Sequence, residues 1–136
     1  MNMQKFALGG IVAGVIFFFL GWLIYGILLM DFMKAHPGLI GGVDKASPDM
    51  LWLAIGNLLM GFLMAYIFTK ANVNSLTNGL ITGAVVGLLM AAGYDCMNYG
   101  LTNLLSKKMM MADVLGSIVL SGITGAITGL VMGKIK

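Results

Sequence analysis

The run FALGGIVAGVIFFFLGWLIYGILLM, Phe6–Met30, carries no charged residue over 25 positions. A helix rises 1.5 Å per residue and the hydrocarbon layer of a bilayer is about 30 Å thick, so about 20 apolar residues cross it once. Three further uncharged runs meet the same test: Met50–Thr69, Leu76–Tyr94 and Val114–Gly133. The pattern predicts an all-α integral membrane four-helix bundle. Its helices cover about residues 6–31, 50–69, 76–99 and 112–133, with one polar loop over 32–49. The longest stretch outside the apolar runs is Asp31–Asp49, 19 residues, so the chain reads as a single transmembrane domain over residues 1–136.

Composition points the same way. Sixty per cent of the residues are hydrophobic and 10% charged, more apolar surface than a water-soluble core of this size hides. The net charge of +3 comes from eight lysines, with no Arg and no Glu. They stand singly or in pairs at the ends of the runs, where Lys reaches for the membrane surface. Nucleic-acid binding asks for clustered Arg and Lys among exposed aromatics, and that pattern is missing. A lone Cys96 has no partner for an internal disulfide and reads as a small apolar side chain. The first run exceeds the roughly 7–15 residues of a secretory signal core and no small-x-small cleavage site comes after it, so it reads as a retained helix.

With four spans, one face carries Lys5, Lys70, Lys134 and Lys136 and the other Lys34, Lys45, Lys107 and Lys108. This balance leaves the positive-inside rule undecided. The first set lies in shorter segments close to the helix ends, which favours cytoplasmic termini.

The chain also matches itself. At an offset of 69, Gly10, Gly14, Leu20 and Tyr25 fall on Gly79, Gly83, Leu89 and Tyr94. At an offset of 64, Asp49, Leu51, Gly61 and Lys70 fall on Asp113, Leu115, Gly125 and Lys134. The change of offset falls in the first hairpin loop, where an insertion is tolerated. Two duplicated helical hairpins in a parallel-repeat arrangement are expected, related by a pseudo-twofold along the membrane normal.

In lipid, apolar burial does not draw helices together, so small residues that admit a neighbouring backbone mark the contacts. The third run has Ser75, Gly79, Gly83, Gly87 and Ala91 at four-residue spacing, and the fourth has Ser117, Ser121, Gly125, Gly129 and Gly133. Such rows share one helix face and predict close packing of the third helix on the fourth, with association to another chain as the alternative. The second run repeats the theme in Asn57, Gly61, Ala65 and Thr69. The first has only Gly10 and Gly14 before Phe18 and Trp22, which predicts a bulkier, more lipid-facing helix. Ser117, Ser121, Thr124 and Thr128 add a polar stripe whose hydroxyls ordinarily bond the carbonyl four residues back. Asn57 is expected to bond across helices, with a place in the candidate polar or proton site as the alternative.

Asp95 is the candidate functional acid. If the third helix continues past Tyr94, Asp95 lies one to two turns inside the bilayer edge, where an ionisable residue is a site for a proton or ligand. Tyr94, Asn98 and Tyr99 are its expected polar neighbours, with Asp31 facing it across the pseudo-twofold. The alternative is a surface carboxylate bonded to Asn98 or Lys107. Asp49 and Asp113 read as acids at helix starts, favoured by the helix dipole. His36 lacks a second His or Cys, so no metal site is expected. Ser/His/Asp sets, CxxC, HExxH and P-loop patterns are missing, and no intramembrane His pair offers haem or quinone chemistry. No cofactor and no enzymatic activity are expected.

The leading expectation is a non-enzymatic role through helix packing, as a homo-oligomer or an accessory subunit of a larger membrane complex. The alternative is a small-solute or proton-coupled transporter using Asp95. Transport asks for Asp95 at a cavity between helices; an accessory role asks for a solid interior.

One family shares these features. Gly21-Trp22-Leu23-Ile24-Tyr25-Gly26 with Phe32-Met33-Lys34, a Gly-rich third helix ending in the polar Tyr94–Asn98 stretch, and an Asp-led fourth helix of small residues resemble domain-of-unknown-function family 1761. The resemblance implies a small four-helix protein of the bacterial inner membrane and transfers no functional residues.

Overall fold

Helix boundaries arise from local capping chemistry. In the computed structural model, which describes residues 1–42 and 44–135, the Asn2 side chain accepts from the Gln4 and Lys5 amides and opens α1, Met3–Leu23. A π turn, Ile24–Leu28, comes next, with the Leu29 amide donating to the Ile24 carbonyl at 2.7 Å. A short α2, Met30–Ala35, ends at His36, ahead of Pro37. Helix α3, Met50–Lys70, starts after an extended Asp49 whose side chain makes no cap bond. It closes where Asn72 adopts φ 55° and the Val73 amide donates back to the Phe68 carbonyl at 2.9 Å, a Schellman-type stop with Asn in the left-handed position. Ser75 caps α4, Leu76–Leu101, and Ser106 caps α5, Lys107–Lys134.

Among the described residues, four helical stretches are long and apolar enough to cross a membrane: Met3–Leu28, Met50–Lys70, Leu76–Leu101 and Lys107–Lys134. The chain is an all-α multi-pass membrane bundle. The main boundary correction falls on the last helix, expected from residue 112. Ser106 accepts from the Met109 amide at 3.1 Å, and Lys, Met and Ala over residues 107–112 are good helix formers. Asp113 therefore lies well inside α5 and caps nothing. The polar loop is also shorter than 32–49, because α2 takes its first residues. That loop is tied to the α4–α5 connection: the Ser106 hydroxyl donates to the His36 carbonyl at 2.5 Å and the Ile40 amide to the Asn103 carbonyl at 3.2 Å. The His36 ring bonds its own helix, Nδ1 donating to the Phe32 carbonyl at 2.8 Å. Lys136, counted in the lysine balance, lies outside the described residues.

Two glycine seams build the bundle. In the first, α4 lies antiparallel on α5. A Cβ on Gly83 would stand 3.1 Å from Gly125 Cα, and one on Gly87 2.7 Å from the Ser117 carbonyl oxygen; Gly79 and Gly129 meet in the same way. In the second, α1 lies on α3, and a Cβ on Gly61 would stand 2.6 Å from Gly14 Cα. The two hairpins then join through α1 and α5, giving the spatial order α3–α1–α5–α4, while α3 and α4 meet little.

This order corrects the expectation that the first helix is the more lipid-facing one. Helix α1 carries two adjacent rows of small residues, one for each neighbour. Gly10 and Gly14 accept α3. Gly9 and Ala13 belong to the row that ends in the buried Phe17, and a Cβ on Gly9 would stand 3.0 Å from Met132 Sδ of α5. Phe18 is half-buried and Trp22 exposed, while the close approaches to α3 are made at Gly10 and Gly14. The core gathers Ala13, Phe17, Met64, Phe68, Val73 and Met132, with Ile67 and Leu120 against it.

Thr124 and Thr128 continue the Leu120–Met132 row of α5 into this core. Both are fully buried, and neither hydroxyl has a partner among the described residues. The expected bond to the carbonyl four residues back is made elsewhere, by Thr69 to Ala65 at 2.7 Å and by Thr102 to Asn98 at 2.8 Å. An unpartnered buried hydroxyl is unfavourable and valine has nearly the same shape. Thr124→Val and Thr128→Val should each stabilise the bundle by about 1 kcal/mol, read as a later midpoint in denaturing-detergent titration. Thr69→Val should not.

Candidate functional site: an acid pair at the end of a glycine seam

The seam between α4 and α5 ends in charge. Four residues beyond Ala91 on the α4 row stands Asp95, and four residues before Ser117 on the α5 row stands Asp113. Antiparallel packing that sets Gly83 against Gly125 and Gly87 against Ser121 brings these two positions together, and their carboxyl groups are neighbours. Asp95 is 4% exposed and its Oδ2 has no hydrogen-bond partner among the described residues. Asp113 is half-buried. At 1.5 Å per residue each lies about 9 Å from its helix end, on the side of the α4–α5 connection.

Tyr25 completes the group from the π turn. Its hydroxyl donates to the Asp113 carbonyl at 3.0 Å and shares a 2.7 Å bond with the Ser117 hydroxyl. Gly116 leaves room for this approach, since a Cβ there would stand 3.3 Å from the Tyr25 hydroxyl oxygen. These bonds hold α1 to α5 where the two hairpins join. Interhelical bonds in membranes contribute about 0.6 kcal/mol on average, so Tyr25→Phe should destabilise the bundle by about 1 kcal/mol in the same titration.

Beside the pair, a cleft of about 390 Å³ opens between α3 and α4, floored by α1 and α5. Met60, Met64 and Met90 make its apolar wall, while Asn57, Tyr94, Asp113, Ser117 and Ser121 supply its polar groups. The arrangement suits a small solute with an apolar body and a positive charge: methionine adapts its shape to varied ligands, and Asp113 lies at the polar part of the wall, while its neighbour Asp95 stands outside the lining. Among the described residues no group of three metal-ligating side chains converges.

The sequence-derived candidates divide. Asp95 is paired with Asp113 but does not itself line the cleft, which Tyr94 does, 65% exposed. Asn98 gives its carbonyl to Thr102 and makes no side-chain bond to Asp95 among the described residues. Asp31, expected to face Asp95, is exposed in the first turn of α2 and stands apart from the cluster. Asn57 lines the cleft but bonds its own helix, Nδ2 donating to the Leu53 carbonyl at 2.7 Å, in place of the expected interhelical bond. Gly79, Gly83, Gly87, Ser117, Ser121, Gly125 and Gly129 all lie in the α4–α5 seam, and Gly61 in the α1–α3 seam. Two members of the site, Asp113 and Tyr25, are not among the sequence-derived candidates. A signal for Asp113 is present: it continues the four-residue row of Ser117, Ser121 and Gly125. Tyr25 has none, because the π turn that aims it leaves no mark in the sequence.

No protein-family model, curated protein or solved structure matched this chain.

Proposed function

We propose that this chain is a small transport protein of a bacterial inner membrane that takes a small cationic solute, or a proton in its place, at Asp95 and Asp113. One observation carries the reading: a carboxylate 4% exposed, inside a membrane-spanning helix, with one oxygen unpartnered among the described residues and a second carboxylate beside it. Acids at such depth are unfavourable unless they serve a ligand, a proton or a partner. The cleft falls within the roughly 300–1,000 Å³ range of small-molecule sites, whereas an accessory subunit acting by helix packing alone asks for a filled interior.

The same reading takes the chain as two duplicated hairpins with both termini cytoplasmic. Equivalent glycines supporting the duplication make equivalent contacts: Gly61 against Gly10 and Gly14, and Gly125 against Gly79 and Gly83. The cleft between α3 and α4 lies between the two hairpins, and carriers built of parallel repeats hold their solutes between repeats. The lysines of the short segments support the orientation.

The test is proton release from proteoliposomes loaded at low internal pH, on adding a lipophilic cation such as tetraphenylphosphonium outside. Protein-dependent release that saturates with the cation is the expected result. Release no faster than from empty liposomes, with the protein recovered from mild detergent in a larger complex, would return the reading to an accessory subunit.

A further inference from the structure

A second recess, of about 630 Å³, lies between the π turn with α2 and the first half of α5. Its walls are apolar: Ile24, Leu28 and Phe32 on one side, Met111, Leu115 and Val119 on the other. Among the described residues its one charged lining residue is Lys108.

Three features select the ligand. The π turn adds a residue to the helical turn, and such insertions re-aim the next stretch of helix and often mark functional positions. Small residues form the floor: Ala112 is buried, and a Cβ on Gly116 would stand 2.8 Å from Leu29 Cδ1. Length is the third feature. From Lys108 to Val119 the helix climbs about 16 Å, close to half of the roughly 30 Å hydrocarbon layer. The recess is thus about as deep as one leaflet. Lys108 is the second residue of α5, next to the connection outside the spans, and so stands at headgroup level.

We propose that this recess is a binding site for one anionic phospholipid, with an acyl chain lying along α5 and the phosphate at Lys108. An apolar slot of leaflet depth with a single cation at its mouth matches both ends of such a lipid. A zwitterionic lipid satisfies the slot but brings no net charge to the lysine. The site is separate from the acid pair and does not depend on transport.

The test uses the full chain in nanodiscs made from equal parts phosphatidylglycerol and phosphatidylcholine, with retained lipid read by native mass spectrometry. The wild-type protein should keep phosphatidylglycerol over phosphatidylcholine by about fivefold, the scale of one lysine at an anionic surface. Lys108→Gln should remove that preference. Lys107→Gln, at a residue outside the recess lining, should leave it in place. Val119→Trp, made on a residue half exposed in the wall, should lower retention of both lipids by filling the slot. The proposal fails if the wild type keeps both lipids equally, if Lys108→Gln changes nothing, or if Lys107→Gln acts as strongly as Lys108→Gln. Undiminished retention by Val119→Trp would also overturn it.

Discussion

Gly61→Leu and Gly125→Leu are each expected to destabilise the bundle by about 3 kcal/mol or more, the upper range for overpacking a tight contact. Each would drive a side chain into backbone that has nowhere to go. A Cβ on Gly61 meets the Gly10 carbonyl oxygen and Gly14 Cα at 2.5 and 2.6 Å; one on Gly125 meets Gly83 Cα at 3.0 Å and the Gly79 carbonyl oxygen closer still. In water, opening such a seam would expose apolar surface and be resisted. In lipid it is not, because acyl chains replace the lost contacts with equally apolar ones. The seams hold only through close approach, so a side chain that forbids it removes most of their stabilisation. Gly56→Leu and Gly93→Leu are the controls: nothing among the described residues lies within 4 Å of a Cβ at either position, and leucine is the better helix former. Denaturing-detergent titration should separate the two pairs clearly. If all four variants unfold alike, the seams are not what holds the helices.

Asp95→Asn is expected to abolish cation-driven proton release from proteoliposomes while leaving helix content unchanged. Asparagine keeps the shape of the side chain and removes its charge. A charge-assisted contact contributes about 1.5–3 kcal/mol, so losing one weakens cation binding by about tenfold or more. Asp113→Asn should act in the same direction. The double variant should be little worse than either alone, because neighbouring groups serving one ligand do not contribute additively. Asp31→Asn, at an exposed residue of α2 apart from the pair, should behave as wild type. Release by Asp95→Asn at the wild-type rate would remove the acid pair from any transport cycle.

These two experiments divide between features that are legible along the chain and features that are not. The α4–α5 seam is legible, because glycine at every fourth position has one physical use in a membrane helix. The acid pair at its end is half legible. Asp95 stands out as an ionisable residue near the end of an apolar run, but Asp113 reads as a helix start, since the charged pair Lys107-Lys108 suggests loop. One serine cap at Ser106 moves that start five residues and carries Asp113 into the span. Asn57 departs from expectation for the opposite reason: an amide reaching the carbonyl four residues back needs no partner helix.

Hydropathy and length settle the number of crossings, and the spacing of small residues settles which faces can touch, because both are properties of single helices in lipid. Neighbour relations are a different kind of fact. A helix that is apolar all round carries no moment to say which side faces protein, since lipid and protein interior are equally apolar. The place of α1 between α3 and α5, the cleft between α3 and α4, and the meeting of Tyr25 with Asp113 and Ser117 across 88 and 92 residues of chain come only from the packed molecule. They arise from backbone fit between distant segments, which no local pattern encodes.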